Sequence, residues 1–249
     1  MNTKNSRLLI VDDEADTCAN LADIFGELGF HVDTANHGVA ALELVTTQPP
    51  YDIVLLDLRM PGMDGLELYR RIKQISAGTV ALIVTAYASS DTAKTAIAAG
   101  ARHVISKPVS IAKLIGLVES AMNSPLLLVV DDDHDLCDNL WDIFHRVGYR
   151  IHLAHDIDAA SLTLQNCSFQ VVLLDMKLPS GEGSSVLKVV RATNPQARTI
   201  VITGCANDQE IRVQQALREG AAAVAYKPFD VPVLLEMVTA NLHPFGDKS

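Results

Sequence analysis

An adjacent pair of aspartates, Asp12 and Asp13, closes one apolar run; Asp57 closes a second, Thr85 a third, and Lys107-Pro108 a fourth. The same set returns in the same order as Asp131 and Asp132, Asp175, Thr203, and Lys227-Pro228, each 118–120 residues further on. Three carboxylates brought together repel one another, and a hard divalent cation relieves the conflict. Mg²⁺ suits such a site because it takes few carboxylates, keeps water and binds phosphate oxygens. A carboxylate beside that cation becomes a competent nucleophile toward phosphorus and yields an acyl phosphate. Phosphoryl transfer then calls for an ammonium and a hydroxyl on the equatorial oxygens. Asp57 and Asp175 are the candidate nucleophiles, Thr85 and Thr203 the hydroxyls, Lys107 and Lys227 the ammonium groups.

Each residue type also has a plainer explanation. Paired acids favour a first helical turn, threonine is a common strand residue, and an isolated lysine is usually a solvated charge. Their joint recurrence in order and at constant spacing argues against coincidence. The repeat extends into residues with no chemistry, since Cys18, Leu21, Phe25 and Leu28 return with identical spacing as Cys137, Leu140, Phe144 and Val147. Spacings of three, four and three describe one face of a helix.

To hold these residues, the chain alternates short apolar runs with amphipathic stretches. The runs at 8–11, 53–56 and 81–84 are apolar throughout, the pattern of strands covered on both faces. A βα repeat around a parallel sheet follows. Strands are predicted near 7–12, 31–35, 52–57, 80–85 and 102–106, and again near 126–131, 150–154, 170–175, 199–203 and 222–226. Helices are predicted between them, beginning with 14–28 and 133–147. The predicted architecture is two flavodoxin-like (βα)5 doubly wound domains, residues 1–124 and 125–249, each with a five-stranded parallel sheet of order 2-1-3-4-5. In such a sheet the order reverses between the first and third strands, and ligands bind at their carboxyl ends. Those are the ends that carry Asp12, Asp13 and Asp57, and their repeats.

At 249 residues the chain exceeds one typical domain and divides into two of ordinary size. No apolar run approaches the ~20 residues of a membrane helix. Met1–Arg7 leads into only four apolar residues before Asp12, which is not a signal peptide, so a cytoplasmic location is expected. The net charge of −10, −4 in the first half and −6 in the second, argues against a dedicated nucleic-acid binder, which needs a basic face. Four scattered cysteines and eight histidines show no metal-ligand spacing. The three residues Asn123-Ser124-Pro125 make a junction too short for a flexible tether.

The stretches "LLIVDDE", "IVLLDLRMPGMDG", "LIVTA" and "HVISKP", and in the second half "LLLVVDDD", "VVLLDMKLPSGEG", "IVITG" and "VAYKP", closely resemble the receiver domains of two-component response regulators. The resemblance spans almost the whole chain. It implies that Asp57 and Asp175 accept phosphate from a phosphohistidine on a sensor histidine kinase or a histidine phosphotransfer protein. It implies direct Mg²⁺ ligation by Asp13, Asp57, Asp132 and Asp175, with Asp12 and Asp131 assisting through water and the main-chain carbonyls of Arg59 and Lys177 completing the set. It further implies a cis bond before Pro108 and Pro228. One departure stands out: the family often places Tyr or Phe three residues before the lysine, where this chain has Val104 and Val224.

The function so implied is a tandem-receiver phosphorelay protein acting through protein–protein contacts, a phosphoacceptor switch rather than a turnover enzyme. One receiver serving only as a structural or dimerising unit, or the chain being the receiver portion of a larger signalling protein, are the alternatives. An aspartate-nucleophile phosphohydrolase of the haloacid-dehalogenase type needs an Asp two residues after the nucleophile, where Arg59 and Lys177 stand. Those same positions, with Tyr87 and Cys205 two residues after the threonines, are the side chains best placed to control water access to each acyl phosphate.

Overall fold

A computed structural model describes residues 6–179, 181–204 and 209–242. The chain separates into two compact units, Met1–Ser124 and Pro125–Ser249. In the first, β1 (Arg7–Val11), β2 (His31–Ala35), β3 (Ile53–Leu56), β4 (Val80–Thr85) and β5 (His103–Ser106) alternate with α1 (Ala15–Glu27), α2 (Gly38–Thr47), α3 (Gly65–Ile75), α4 (Ser90–Ala98) and α5 (Ile111–Met122). The sheet is parallel throughout, in the order β2-β1-β3-β4-β5.

The all-apolar runs sort by parity onto two faces. Leu9, Val11, Val54, Leu56, Ala81 and Ile83 pack with Ala41, Val45, Leu68, Ile72 and Ala96 of α2, α3 and α4. Leu8, Ile10, Ile53, Leu55, Leu82 and Val84 pack on the other side with Cys18, Phe25, Leu114 and Val118 of α1 and α5. Successive strand side chains point to opposite faces, so only a strand covered twice is apolar at every position.

The second unit repeats the plan with β6 (Leu126–Val130), β7 (Arg150–Ala154), β8 (Val171–Asp175), β11 (Arg198–Gly204) and β12 (Ala223–Lys227), and with helices α6 (His134–Arg146), α7 (Ile157–Asn166), α8 (Gly183–Thr193), α9 (Gln209–Arg218) and α10 (Val231–Leu242). Its order, β7-β6-β8-β11-β12, is the same doubly wound arrangement. The predicted fold class is therefore found in both units.

Two local expectations are corrected. The spacing places Leu28 and Val147 on the apolar face of the first helix in each half, yet they are 41% and 54% exposed. Each lies at the C-cap, where the helix has ended and its face no longer meets the sheet. A two-stranded antiparallel pair, β9 (Lys177–Leu178) with β10 (Gly181–Glu182), follows the second nucleophile position without any strand-length apolar run to announce it.

Candidate phosphoryl-transfer site

Each candidate sits at the carboxyl end of a strand because the strand's own hydrogen bonds run up to it. The Asp57 N–H donates to Val11 O at 2.9 Å, which ties the residue after β3 to the end of β1. The Asp12 N–H donates to Ala35 O at 3.2 Å. The Lys107 N–H donates to Thr85 O at 2.9 Å, locking the residue after β5 to the end of β4. Asp12, Asp57 and Thr85 are buried, whereas Asp13 is exposed.

Side chains then converge from the ends of β1, β3 and β5. Lys107 Nζ lies 2.6 Å from Asp12 Oδ2 and 2.8 Å from Asp57 Oδ2. The second oxygen of each carboxylate accepts a main-chain N–H two residues on: Asp12 Oδ1 from Glu14 and Asp57 Oδ1 from Arg59, both at 3.1 Å. Carboxylate oxygens of Asp12, Asp13 and Asp57 all lie within 4.8 Å of one another.

The second unit reproduces this almost bond for bond. Lys227 Nζ lies 2.6 Å from Asp131 Oδ2 and 2.7 Å from Asp175 Oδ2. Asp131 Oδ1 accepts the Asp133 N–H at 3.1 Å, and Asp175 Oδ1 the Lys177 N–H at 2.9 Å. Asp131, Asp132 and Asp175 form the second carboxylate cluster, again with the middle member exposed. Thr203 is buried near the end of β11.

One ammonium against three carboxylates leaves each cluster two negative charges in excess. Burial works against both ammonium groups, but their hydrogen bonds to the two aspartates outweigh it and hold both lysines above the ordinary lysine pKa. Burial also pushes the Asp131 carboxyl up, against the hydrogen bonds from Lys227 and the Asp133 N–H. An exposed Asp beside two buried, lysine-bridged carboxylates, all oxygen donors, matches the demand of a small hard cation that keeps part of its water shell. The main-chain carbonyls of Arg59 and Lys177, two residues past each nucleophile position, are the remaining candidate donors.

Both Lys–Pro peptides are cis. Val104 and Val224 are partly buried and pack into their respective cores, so neither unit has an aromatic side chain three residues before its lysine. The units also differ at the rim. In the first, the Arg59 guanidinium stacks on Tyr87, whereas in the second His155 Nδ1 lies 3.0 Å from Asp131 O and its ring lies tilted by 31° against that of His134, centroids 3.8 Å apart. Cys205, the counterpart of Tyr87, lies outside the described residues.

Sequence reasoning missed Gly65 and Gly183. A Cβ on Gly65 would collide with Asp57 O, and one on Gly183 would lie 2.5 Å from Asp175 O. The signal was available, because a glycine stands eight residues after each candidate nucleophile. Only there does the start of α3 or α8 approach the strand end closely enough to require it, with the Gly65 N–H donating to Leu58 O and the Gly183 N–H to Met176 O.

Residues 8–119 and 127–239 each match the family described as response regulator receiver domain. A response regulator receiver protein of Anaeromyxobacter sp. (strain Fw109-5) is 32% identical over 236 residues, which is 93% of this chain and 93% of that protein. The sporulation initiation phosphotransferase F of Bacillus subtilis is 37% identical over 107 residues, 43% of this chain and 86% of that protein. The transcriptional regulatory protein ZraR of Klebsiella oxytoca is 39% identical over 114 residues, a match that spans 26% of that longer protein. Among solved structures, the response regulator TrrA of Thermotoga maritima, in complex with Mg²⁺ and BeF, is 31% identical over 46% of this chain and 96% of that chain, with a TM-score of 0.42. Among the described residues, no helix is long and apolar enough to cross a membrane.

Proposed function

The chain belongs to the response regulator receiver family, in each of its two halves, and on that premise we propose that both halves are working phosphoacceptors, with Asp57 and Asp175 taking phosphoryl groups from a phosphohistidine. The phosphate donor is a sensor histidine kinase or a histidine phosphotransfer protein. The observation that carries this reading is the lysine bridge, present in both units with N···O distances of 2.6–2.8 Å. A duplicated site that had lost its chemistry in one copy would not need the bridging ammonium, both buried aspartates and the exposed one in each.

In the reaction, a carboxylate oxygen of Asp57 attacks phosphorus as the N–P bond of the phosphohistidine breaks. The electron pair returns to the imidazole nitrogen, which takes a proton from solvent. The Arg59 N–H on Oδ1 and the Lys107 ammonium on Oδ2 orient the nucleophile beforehand. Because Lys107 is shared with Asp12, it can turn from carboxylate to phosphoryl oxygen without leaving the site. The hydroxyl of buried Thr85 accepts the Tyr87 N–H at 3.3 Å and keeps its own hydrogen for a phosphoryl oxygen. Bound at Asp13 and Asp57, with Asp12 assisting and the Arg59 carbonyl, Mg²⁺ would supply the positive charge that offsets the carboxylates and the incoming phosphoryl group. Lys227, Thr203, Asp131, Asp132, Asp175 and the Lys177 carbonyl take the same parts in the second unit. Hydrolysis of the acyl phosphate then resets the switch slowly, and output runs through protein–protein contact. With Val104 and Val224 where the family often has an aromatic residue, neither switch uses an inward-turning ring at that position.

Intact-mass measurement after acetyl phosphate treatment in Mg²⁺ tests this directly. Two additions are expected on the wild type, one on Asp57→Ala or Asp175→Ala, and none on the double variant. Wild-type labelling of the double variant would overturn the assignment.

A further inference from the structure

At the end of the second sheet opposite Asp175, a cavity of about 630 Å³ is lined by Gln170, Arg191, Asn194, Arg198, Thr199 and Gly220, among others. Gln170 precedes β8 and Arg198 opens β11, so the cavity lies the length of a five-residue strand from the phosphoacceptor, about 17 Å. Its floor is fixed. Buried Asn194 accepts the Phe169 N–H on Oδ1 at 2.8 Å and donates through Nδ2 to Leu164 O at 2.8 Å. Gln170 Oε1 accepts the Leu126 N–H at 2.6 Å.

Two guanidinium groups border this frame, and among the described residues neither Arg191 nor Arg198 pairs with a carboxylate. Arg191 packs against Gly220, where a Cβ would collide with its Nη2; Gly220 has φ +96 and no side chain to displace it. Both guanidinium groups therefore keep their planar N–H forks available to an oxyanion that enters the cavity.

The first unit serves as an internal control. Strand register equates Val80 with Arg198, because Ile53 pairs with Val80 as Val171 pairs with Arg198. Asp52 occupies the place of Gln170, accepting the Arg7 N–H at 2.9 Å. Lys73, eight residues after Gly65, corresponds to Arg191, eight after Gly183. Between the copies, a lysine, an aspartate and a valine have become two arginines and an amide. At these three positions the formal charge thus rises from zero to +2, although the second half carries −6 in all.

We propose that this cavity is a binding site for a small dianion, a phosphate monoester or a dicarboxylate. An arginine fork grips either group with two parallel N–H···O bonds, and two forks match two charges. The volume falls in the range of small-molecule sites. The site is separate from the phosphoacceptor and does not depend on its chemistry.

The test is ¹H–¹⁵N NMR of the full chain without Mg²⁺, at constant ionic strength, titrated separately with glycerol 2-phosphate and with succinate. Saturable shifts of the Thr199 and Gly220 amides are expected with at least one probe, and which probe saturates identifies the phosphate or the carboxylate source. Arg191→Gln/Arg198→Gln, two exposed positions, should weaken that binding by at least about tenfold. The proposal fails if neither probe saturates, if the double variant binds as the wild type does, or if amides around Lys73 and Val80 move in parallel.

Discussion

The guanidinium carbon of Arg59 lies 3.9 Å from the centre of the Tyr87 ring, joining the loop after β3 to the loop after β4 at the rim of the first site. Arg59 also presents its N–H to Asp57, and the Tyr87 N–H donates to Thr85 Oγ1, so the stack ties together the loops that carry the proposed nucleophile and hydroxyl. If Asp57 is the phosphoacceptor, the pair should screen one approach by which water would reach its acyl phosphate.

Aspartyl phosphate on Asp57 should therefore outlast that on Asp175, and Tyr87→Ala should shorten its lifetime by roughly twofold to fivefold, the worth of an exposed cation–π contact. Arg59→Ala should have a similar effect, and the double variant should decay little faster than either single one. Decay rates followed by intact mass in the Asp175→Ala background would check this, and additive effects would count against coupling through the stack.

Removing the bridging lysine should expose the repulsion it now offsets. Lys227→Met leaves buried Asp131 and Asp175 without their shared partner and should lower stability at neutral pH by about 1–3 kcal/mol in the absence of divalent cation. The sign with pH follows from Asp131, whose pKa burial already raises. A carboxyl that binds its proton more tightly folded than unfolded favours the fold at low pH and loses that contribution as pH rises through the folded pKa. The penalty of Lys227→Met should thus shrink toward about pH 4. Urea denaturation over a pH series measures it.

Mg²⁺ should stabilise each unit of the wild type by about 2.7 kcal/mol at a hundredfold excess over the dissociation constant of its site. It should also restore much of the loss in Lys227→Met. Asp13→Asn and Asp132→Asn should each weaken the effect in their own unit. Identical melting with EDTA and with Mg²⁺ would contradict the cation site.

Gly65→Ala should destabilise the first unit by about 1–3 kcal/mol, because the added methyl meets Asp57 O and the backbone must shift. The shift moves the proposed nucleophile, so phosphoryl uptake at Asp57 should fall more than stability alone explains, while Asp175 keeps its uptake. Gly26→Ala, where a Cβ meets nothing within 4 Å, is the control.

The thiols of Cys18 and Cys137 should resist alkylation in the native protein. Burial pushes Cys137 up to about 12 and raises Cys18 as well, which leaves very little thiolate at pH 8. In a Cys205→Ser chain, half-buried Cys167 should react with iodoacetamide at least about tenfold faster than either. Peptide mapping before and after denaturation would show the order.

The sequence alone determined the two-copy organisation, the parallel sheets and the candidate residues at the strand ends. It could do so because a strand covered on both faces is apolar at every position, and because a duplicated chain repeats its spacing. Tertiary structure decided what those residues do to one another. Lys107 reaches Asp57 across 50 residues and Asp12 across 95, and nothing local in the chain encodes that one ammonium bridges both. The Arg59–Tyr87 stack, the collision that makes Gly65 necessary, and the exposure of Leu28 and Val147 likewise depend on where helices and loops end in space. Periodicity reports which way a side chain faces along its own element, but not what the neighbouring element places opposite it. The arginine-lined cavity shows the same limit: Arg198 and Arg191 are unremarked surface charges in the sequence, and only the β8–β11 register, for Arg198, and the placement of α8, for Arg191, bring them to one cavity with Gln170.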